Sequence, residues 1–161
     1  MKKSLTVFVI LISGIIFGQF TIKESSADWK PVGKLYHHIS LYSKDGKAKF
    51  IYIDQNKLRA STSIFVDDTT YEYEFSTEPD TLDKLYLMIK DHFENKKVEK
   101  LTLEFPEGNL YLNFSKNFGS YGLILEFDNE SSFIDKNSTL LRNSYPLNMK
   151  SVNSLFGKSK S

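Results

Sequence analysis

The chain has 161 residues and no cysteine. That absence excludes disulfides, lipid attachment to a cysteine behind a leader, cysteine nucleophiles and thiolate metal sites. Histidine is scarce, with three residues in all. Proline and glycine number only four and eight, and there is neither a glycine-rich phosphate loop nor a Gly-x-Ser-x-Gly elbow. Neither sign of charge dominates: 21 basic side chains face 20 acidic ones. So even a balance supplies no field to draw in nucleic acid, which is excluded as a partner class. The apolar run Leu5 to Gly18 is shorter than the roughly 20 residues a membrane-crossing helix needs.

What that run does have is the form of a secretory leader. Lys2 and Lys3 precede it, and Lys23 and Glu24 follow it. Cutting after Gly18 puts a small residue at the last position but Ile16 at the third-last. Cutting after Ala27 gives Ser25-x-Ala27, behind a longer polar stretch. We place the cut after Gly18, with Ala27 the alternative. The expected organisation is a signal peptide over 1–18 and one exported domain over 19–161, periplasmic or secreted, with no stable membrane anchor once the leader is removed. Removing Lys2 and Lys3 leaves 19 basic against 20 acidic side chains. The short lysine-led leader looks bacterial, so the glycosylation-type triplets at Asn113, Asn129 and Asn137 carry no weight.

Without disulfides, stability must come from a hydrophobic core. A chain of about 140 residues buries roughly two-thirds of its unfolded surface, enough for a core of its own. Thirteen Phe and nine Tyr supply large buried areas.

Residues 19–33 are polar and mixed and read as a leader segment that docks late, through Trp29. Strands are expected over Leu35–Tyr42 and Lys49–Asp54, joined by a hairpin at Asp45-Gly46. Two more are expected over Thr62–Val66 and Thr70–Phe75. In the last of these, Tyr71, Tyr73 and Phe75 alternate with Glu72 and Glu74, as in a half-buried strand. Leu82, Leu85, Tyr86, Ile89 and Phe93 recur at helical spacing and predict a helix over 80–94. Then Leu101/Leu103/Phe105, Leu110/Leu112/Phe114 and Leu123/Leu125/Phe127 alternate with polar residues across short turns, which predicts an antiparallel meander. Residues 128–145 read as a long loop, Leu147–Phe156 as a short helix stopped by Gly157, and 158–161 as a frayed tail. Strands grouped rather than alternating with helices argue for an α+β fold: a largely antiparallel sheet of six to seven strands packed on one main helix. The second half echoes the first only loosely.

Candidate chemistry is thin. His37 and His38, as neighbours in a strand, would point to opposite faces and could not share a metal. Asp67-Asp68 fits an ordinary turn. The run from Asp128 begins like a calcium loop but holds Phe133 and Thr139 where glycine and a carboxylate are required. Glu72/Glu74 and Glu104/Glu126 mark solvent faces. No catalytic residue, metal or cofactor is therefore assigned. The residues left over are aromatic: Tyr36, Tyr42, Tyr111 and Tyr121. Some of them should lie opposite the Leu/Phe stripe, where they would suit a protein partner or a sugar ring. The expected function is a non-catalytic binding or interaction module of the cell envelope or extracellular space. The rivals are a small exported hydrolase with a dispersed carboxylate/histidine site, and an inhibitor or immunity-type protein that blocks a secreted enzyme.

Overall fold

The structure, a computed structural model, describes residues 28–56, 70–117, 119–128 and 141–159. It is α+β. Strands β1 (Lys30–Leu35), β2 (Ile39–Lys44), β3 (Lys47–Ile53) and β4 (Thr70–Ser76) are followed by helix α1 (Thr81–Asn95). Then come β5 (Lys100–Phe105), β6 (Gly108–Asn117), β7 (Ser120–Asp128), β8 (Arg142–Asn143) and helix α2 (Met149–Leu155). The strands form two antiparallel four-stranded sheets, each in sequence order, rather than one sheet of six or seven. The expected strand at Thr62–Val66, and most of the expected loop after Asp128, lie outside the described residues.

Short turns of two or three residues join β1 to β2, β2 to β3, β5 to β6 and β6 to β7, whereas β4 and β8 each join their sheet after a longer connection. Asp45 and Gly46 close the β2–β3 hairpin, with Lys44 opposite Lys47 and Gly46 at φ +73°. The charged side of the first sheet is pinned across strands, Lys47 to Glu74 at 2.7 Å and Lys49 to Glu72 at 3.2 Å. Two expectations need correction. Residues 30–33, expected in the polar segment ahead of the strands, already belong to β1. The strand expected over Leu35–Tyr42 is broken, because Tyr36–His38 form a turn closed by the His38 amide donating to the Leu35 carbonyl at 3.0 Å.

The second sheet does not extend the first because its strands run across β4 instead of pairing with it. From the C-terminal end of β4 to its start, Ser76 meets Glu107 in the β5–β6 turn, Tyr73 meets Phe127 of β7, and Tyr71 meets Arg142 of β8. Phe127 anchors the junction, its ring centroid 4.1 Å from Tyr52, 5.3 Å from Tyr73 and 5.6 Å from Phe50. Phe75 and Phe105 meet at 4.8 Å. The buried Tyr73 hydroxyl donates to the Gly108 carbonyl at 3.0 Å, and burial pushes its ionisation well above the ordinary phenol value.

The helices cross over. α1 follows the first sheet but packs on the second, laying His92 and Phe93 against Phe114. α2 follows the second sheet and packs on β1 of the first, where Gly33 lies under the Ser154 and Leu155 carbonyls. The helices meet where the Tyr86 hydroxyl donates to Asn153 Oδ1 at 3.1 Å. A four-stranded meander plus a helix thus occurs twice.

Glu107 ties the sheets together on the surface. The Ser76 hydroxyl, chiefly, and the Ser76 amide (3.1 Å) hydrogen-bond its carboxylate, with Lys47 adding attraction, and they hold it below the ordinary carboxylate value. A depressed folded value stabilises above the ordinary carboxylate range, and that stability is lost as pH falls through the depressed value. Glu107→Gln should therefore cost less than about 1 kcal/mol at pH 7, the group being exposed. It should also flatten the acid limb of the stability profile. Urea midpoints of both proteins between neutral pH and pH 3 check this; parallel acid limbs would mean that Glu107 is not linked to folding.

Candidate binding surface

The break after Leu35 builds the most distinctive surface of the molecule. Tyr36 stands in the turn at φ +46° and is 81% exposed. A bulky side chain in the left-handed region is strained, by about 1–3 kcal/mol, and such strain persists only where the surroundings impose it. Here β1 is fixed by α2 and β2 by the sheet, so the turn has only three residues in which to reverse direction.

Tyr36 borders a cleft of about 570 Å³ between the turn and the start of α2, with Lys34, His37, Asn148, Lys150 and Ser151 among its lining. No carboxylate lines it, while two lysines and a histidine do. Asn148 caps α2, its Oδ1 accepting the Ser151 amide at 2.9 Å. Alongside, the Tyr145 ring stacks on His38 at 4.7 Å and remains 45% exposed. From Tyr145 the chain runs through Pro146 and Leu147 to Asn148 in the cleft wall. Tyr36, one of the large apolar side chains left exposed among the described residues, thus borders a cleft carrying two lysines and a histidine, while the exposed Tyr145 stacks on the neighbouring His38. The sequence reading missed Tyr145. The available signal was an aromatic residue directly before a proline in a polar stretch, where the backbone is held extended.

The other tyrosines expected at a binding surface are placed apart. Tyr42 lies half-buried on the outer side of the first sheet, opposite Lys49, whose ammonium sits 4.7 Å from the Trp29 ring. Tyr111 lies on the outer side of the second sheet, with the Lys100 ammonium 4.4 Å above its ring and its hydroxyl donating to Asp128 at 3.2 Å. Tyr121 is on the inner side of the same sheet, edge-on to Phe93 at 5.0 Å, and its hydroxyl donates to the Lys97 carbonyl. Burial, helped by Glu99, pushes its phenol upward. Tyr111 and Tyr121 therefore do not share a face, and Tyr36 is the one of the four that stands exposed.

The histidines do not converge. His37 and His38 are in the turn, whereas His92 is buried under α1, stacked on Phe114 at 4.7 Å and bonded through Nε2 to Glu99 at 3.0 Å. Among the described residues no three His, Asp or Glu side chains come together as a metal would require. Asp67 and Asp68 lie outside the described residues. Three of the outer-face carboxylates are occupied by ion pairs, Glu72 with Lys49, Glu74 with Lys47, and Glu126 with Lys100 at 2.6 Å. A cleft of about 600 Å³ beside the β2–β3 turn holds charges of both signs, and its Lys158 and Asp83 are already paired at 2.8 Å. It lacks the single-signed field and the exposed aromatic ring of the Tyr36 cleft. Among the described residues no helix is long and apolar enough to cross a membrane.

Comparison with protein-family models, with curated proteins and with solved structures found no match to this chain.

Proposed function

We propose that the protein is a non-catalytic binding module of the cell envelope or extracellular space, and that the Tyr36 cleft is its docking surface. The N-terminal leader carries the location. The observation that carries the binding role is Tyr36 itself, strained and 81% exposed beside Lys34, His37 and Lys150. Aromatic anchors ringed by cations suit a partner with carboxylates next to an apolar or ring surface, as on an acidic protein patch or an acidic carbohydrate.

One substitution separates binding from stability. Tyr36→Gly removes the ring and relieves the positive φ, so the variant should gain about 1 kcal/mol in urea denaturation. It should also lose partner affinity by tenfold or more, as anchor truncations at interface centres do. The partner is first obtained by crosslinking tagged protein in envelope and culture-fluid fractions and reading the products by mass spectrometry. Affinity unchanged in both Tyr36→Gly and Lys34→Glu/Lys150→Glu would remove this cleft from consideration.

One observation favours the inhibitor reading as a second possibility. β6 and β7 continue pairing to Asn117 and Ser120, beyond the reach of β5, with Gly119 at φ +81° in the turn. A projecting hairpin of this kind is a shape that enters an enzyme cleft. Capture of an enzyme through residues 115–122, with Tyr36→Gly silent, would select that reading.

A further inference from the structure

β5 forms one edge of the second sheet. The Phe114 amide donates to the Glu99 carbonyl at 2.9 Å, and in this register Glu99 and Phe114 are directly opposed. They therefore form a hydrogen-bonded pair, and such pairs alternate along an antiparallel ladder. Leu101, Leu103 and Phe105 direct their backbone groups at β6. Lys100, Thr102 and Glu104 direct theirs away from it, to an edge that no strand pairs with among the described residues. All three of those side chains are exposed.

We infer that this edge is a self-association site, at which β5 pairs antiparallel with β5 of a second copy about a two-fold axis at Thr102. Charges on an edge strand ordinarily deter pairing. In this register they attract, because Lys100 of each copy stands opposite Glu104 of the other, twice over. Glu104 has no ion-pair partner among the described residues, and Lys100 would bridge it to its own Glu126. The backbone parity also fits: Lys100, Thr102 and Glu104 all meet their opposites as hydrogen-bonded pairs. A one-residue slip would lose both the charge match and the parity.

The inner side is equally self-complementary, since Leu101 of one copy lies opposite Leu103 of the other. Beside β5 runs a groove of about 570 Å³ against α1, floored by Leu85, Met88, Leu103 and Phe105. The second copy's Leu101 extends that apolar floor. The result is an isologous dimer with one eight-stranded sheet across both copies, and it is independent of the Tyr36 cleft.

Because the chain has no cysteine, a single engineered one reports on the register. Opposed residues of a hydrogen-bonded pair have Cα atoms about 5.5 Å apart, within disulfide reach. Thr102→Cys should form a covalent dimer under mild oxidation. Glu104→Cys, whose counterpart would lie roughly 14 Å away along the strand, should not. Sedimentation equilibrium of the purified protein should show a concentration-dependent dimer, weakened about tenfold or more by Glu104→Lys, which sets two like-charged pairs face to face. A monomer at every soluble concentration would overturn the proposal. So would a dimer that tolerates Glu104→Lys, or one in which Glu104→Cys crosslinks as readily as Thr102→Cys.

Discussion

Phe127→Ala should destabilise the protein by about 3–5 kcal/mol, the range for deleting a fully buried aromatic ring from a core. The Phe127 side chain is 0% exposed and touches rings on two strands of the opposite sheet, Phe50 and Tyr52 on β3 and Tyr73 on β4. Its neighbours are held in two hydrogen-bonded sheets and cannot collapse into the vacated space, which favours the upper part of the range. Folded domains are stable by only about 5–15 kcal/mol, so this one change removes a large share. With an m-value of about 2 kcal/mol/M, the urea midpoint should fall by roughly 2 M. Phe127→Leu keeps most of the volume and should cost no more than about 1.5 kcal/mol. If the alanine variant lost no more than the leucine variant, the sheets would not be held together through this ring.

Gly33→Ala should have an effect of similar size from one added methyl group. A Cβ at Gly33 would overlap the Ser154 carbonyl oxygen and lie 2.5 Å from that of Leu155. Both obstacles are backbone, so no side-chain rotation relieves the clash. A Cβ at Gly157 would likewise meet the Val32 carbonyl oxygen, at 2.6 Å, so α2 and β1 approach closely at two points. Overpacking against rigid atoms costs about 3 kcal/mol at the upper end of its usual range. The cheapest relief is for α2 to lift from β1. Gly33→Ala should therefore also open the Tyr36 cleft, whose other wall is the start of α2. Faster amide exchange at Val152 and Leu155 than in the wild type would report that lifting. A variant with the wild-type urea midpoint and exchange rates would show that β1 and α2 are not in such close contact.

Much of the fold was legible in the sequence because the signals were local. Helix α1 was expected over 80–94 and spans Thr81–Asn95, since five apolar residues at helical spacing leave no alternative periodicity. The meander of β5, β6 and β7 was legible for the same reason, from strict alternation between short turns. Gly157, expected to stop the last helix, follows α2 at φ +65°. The break at Tyr36–His38 was not legible. Its turn holds no Gly, Pro, Asn or Asp, and Leu35, His37, Ile39 and Leu41 keep the rhythm of one continuous strand. The left-handed residue is a tyrosine because neighbouring elements hold it there, and that is long-range information.

The candidate surface divides in the same way. Alternation singled out the tyrosines outside the Leu/Phe stripe, Tyr36 among them, as side chains free to act. Tyr121, in step with Leu123, Leu125 and Phe127, belongs to the inner side by the same alternation, but its cover by Phe93 depends on where α1 lands. Tyr145 could not be placed beside His38, because 107 positions separate them in the chain. By itself the sequence determined the α+β class, the main helix and the meander, all of which follow from periodicity within a few residues. Only the tertiary structure decided that the strands divide into two crossed sheets, that each helix packs on the other's sheet, and that Tyr36, Lys34, His37 and Lys150 share one cleft. Those outcomes depend on burying aromatic faces that lie far apart along the chain, and periodicity along a single strand carries no information about which distant face will cover it.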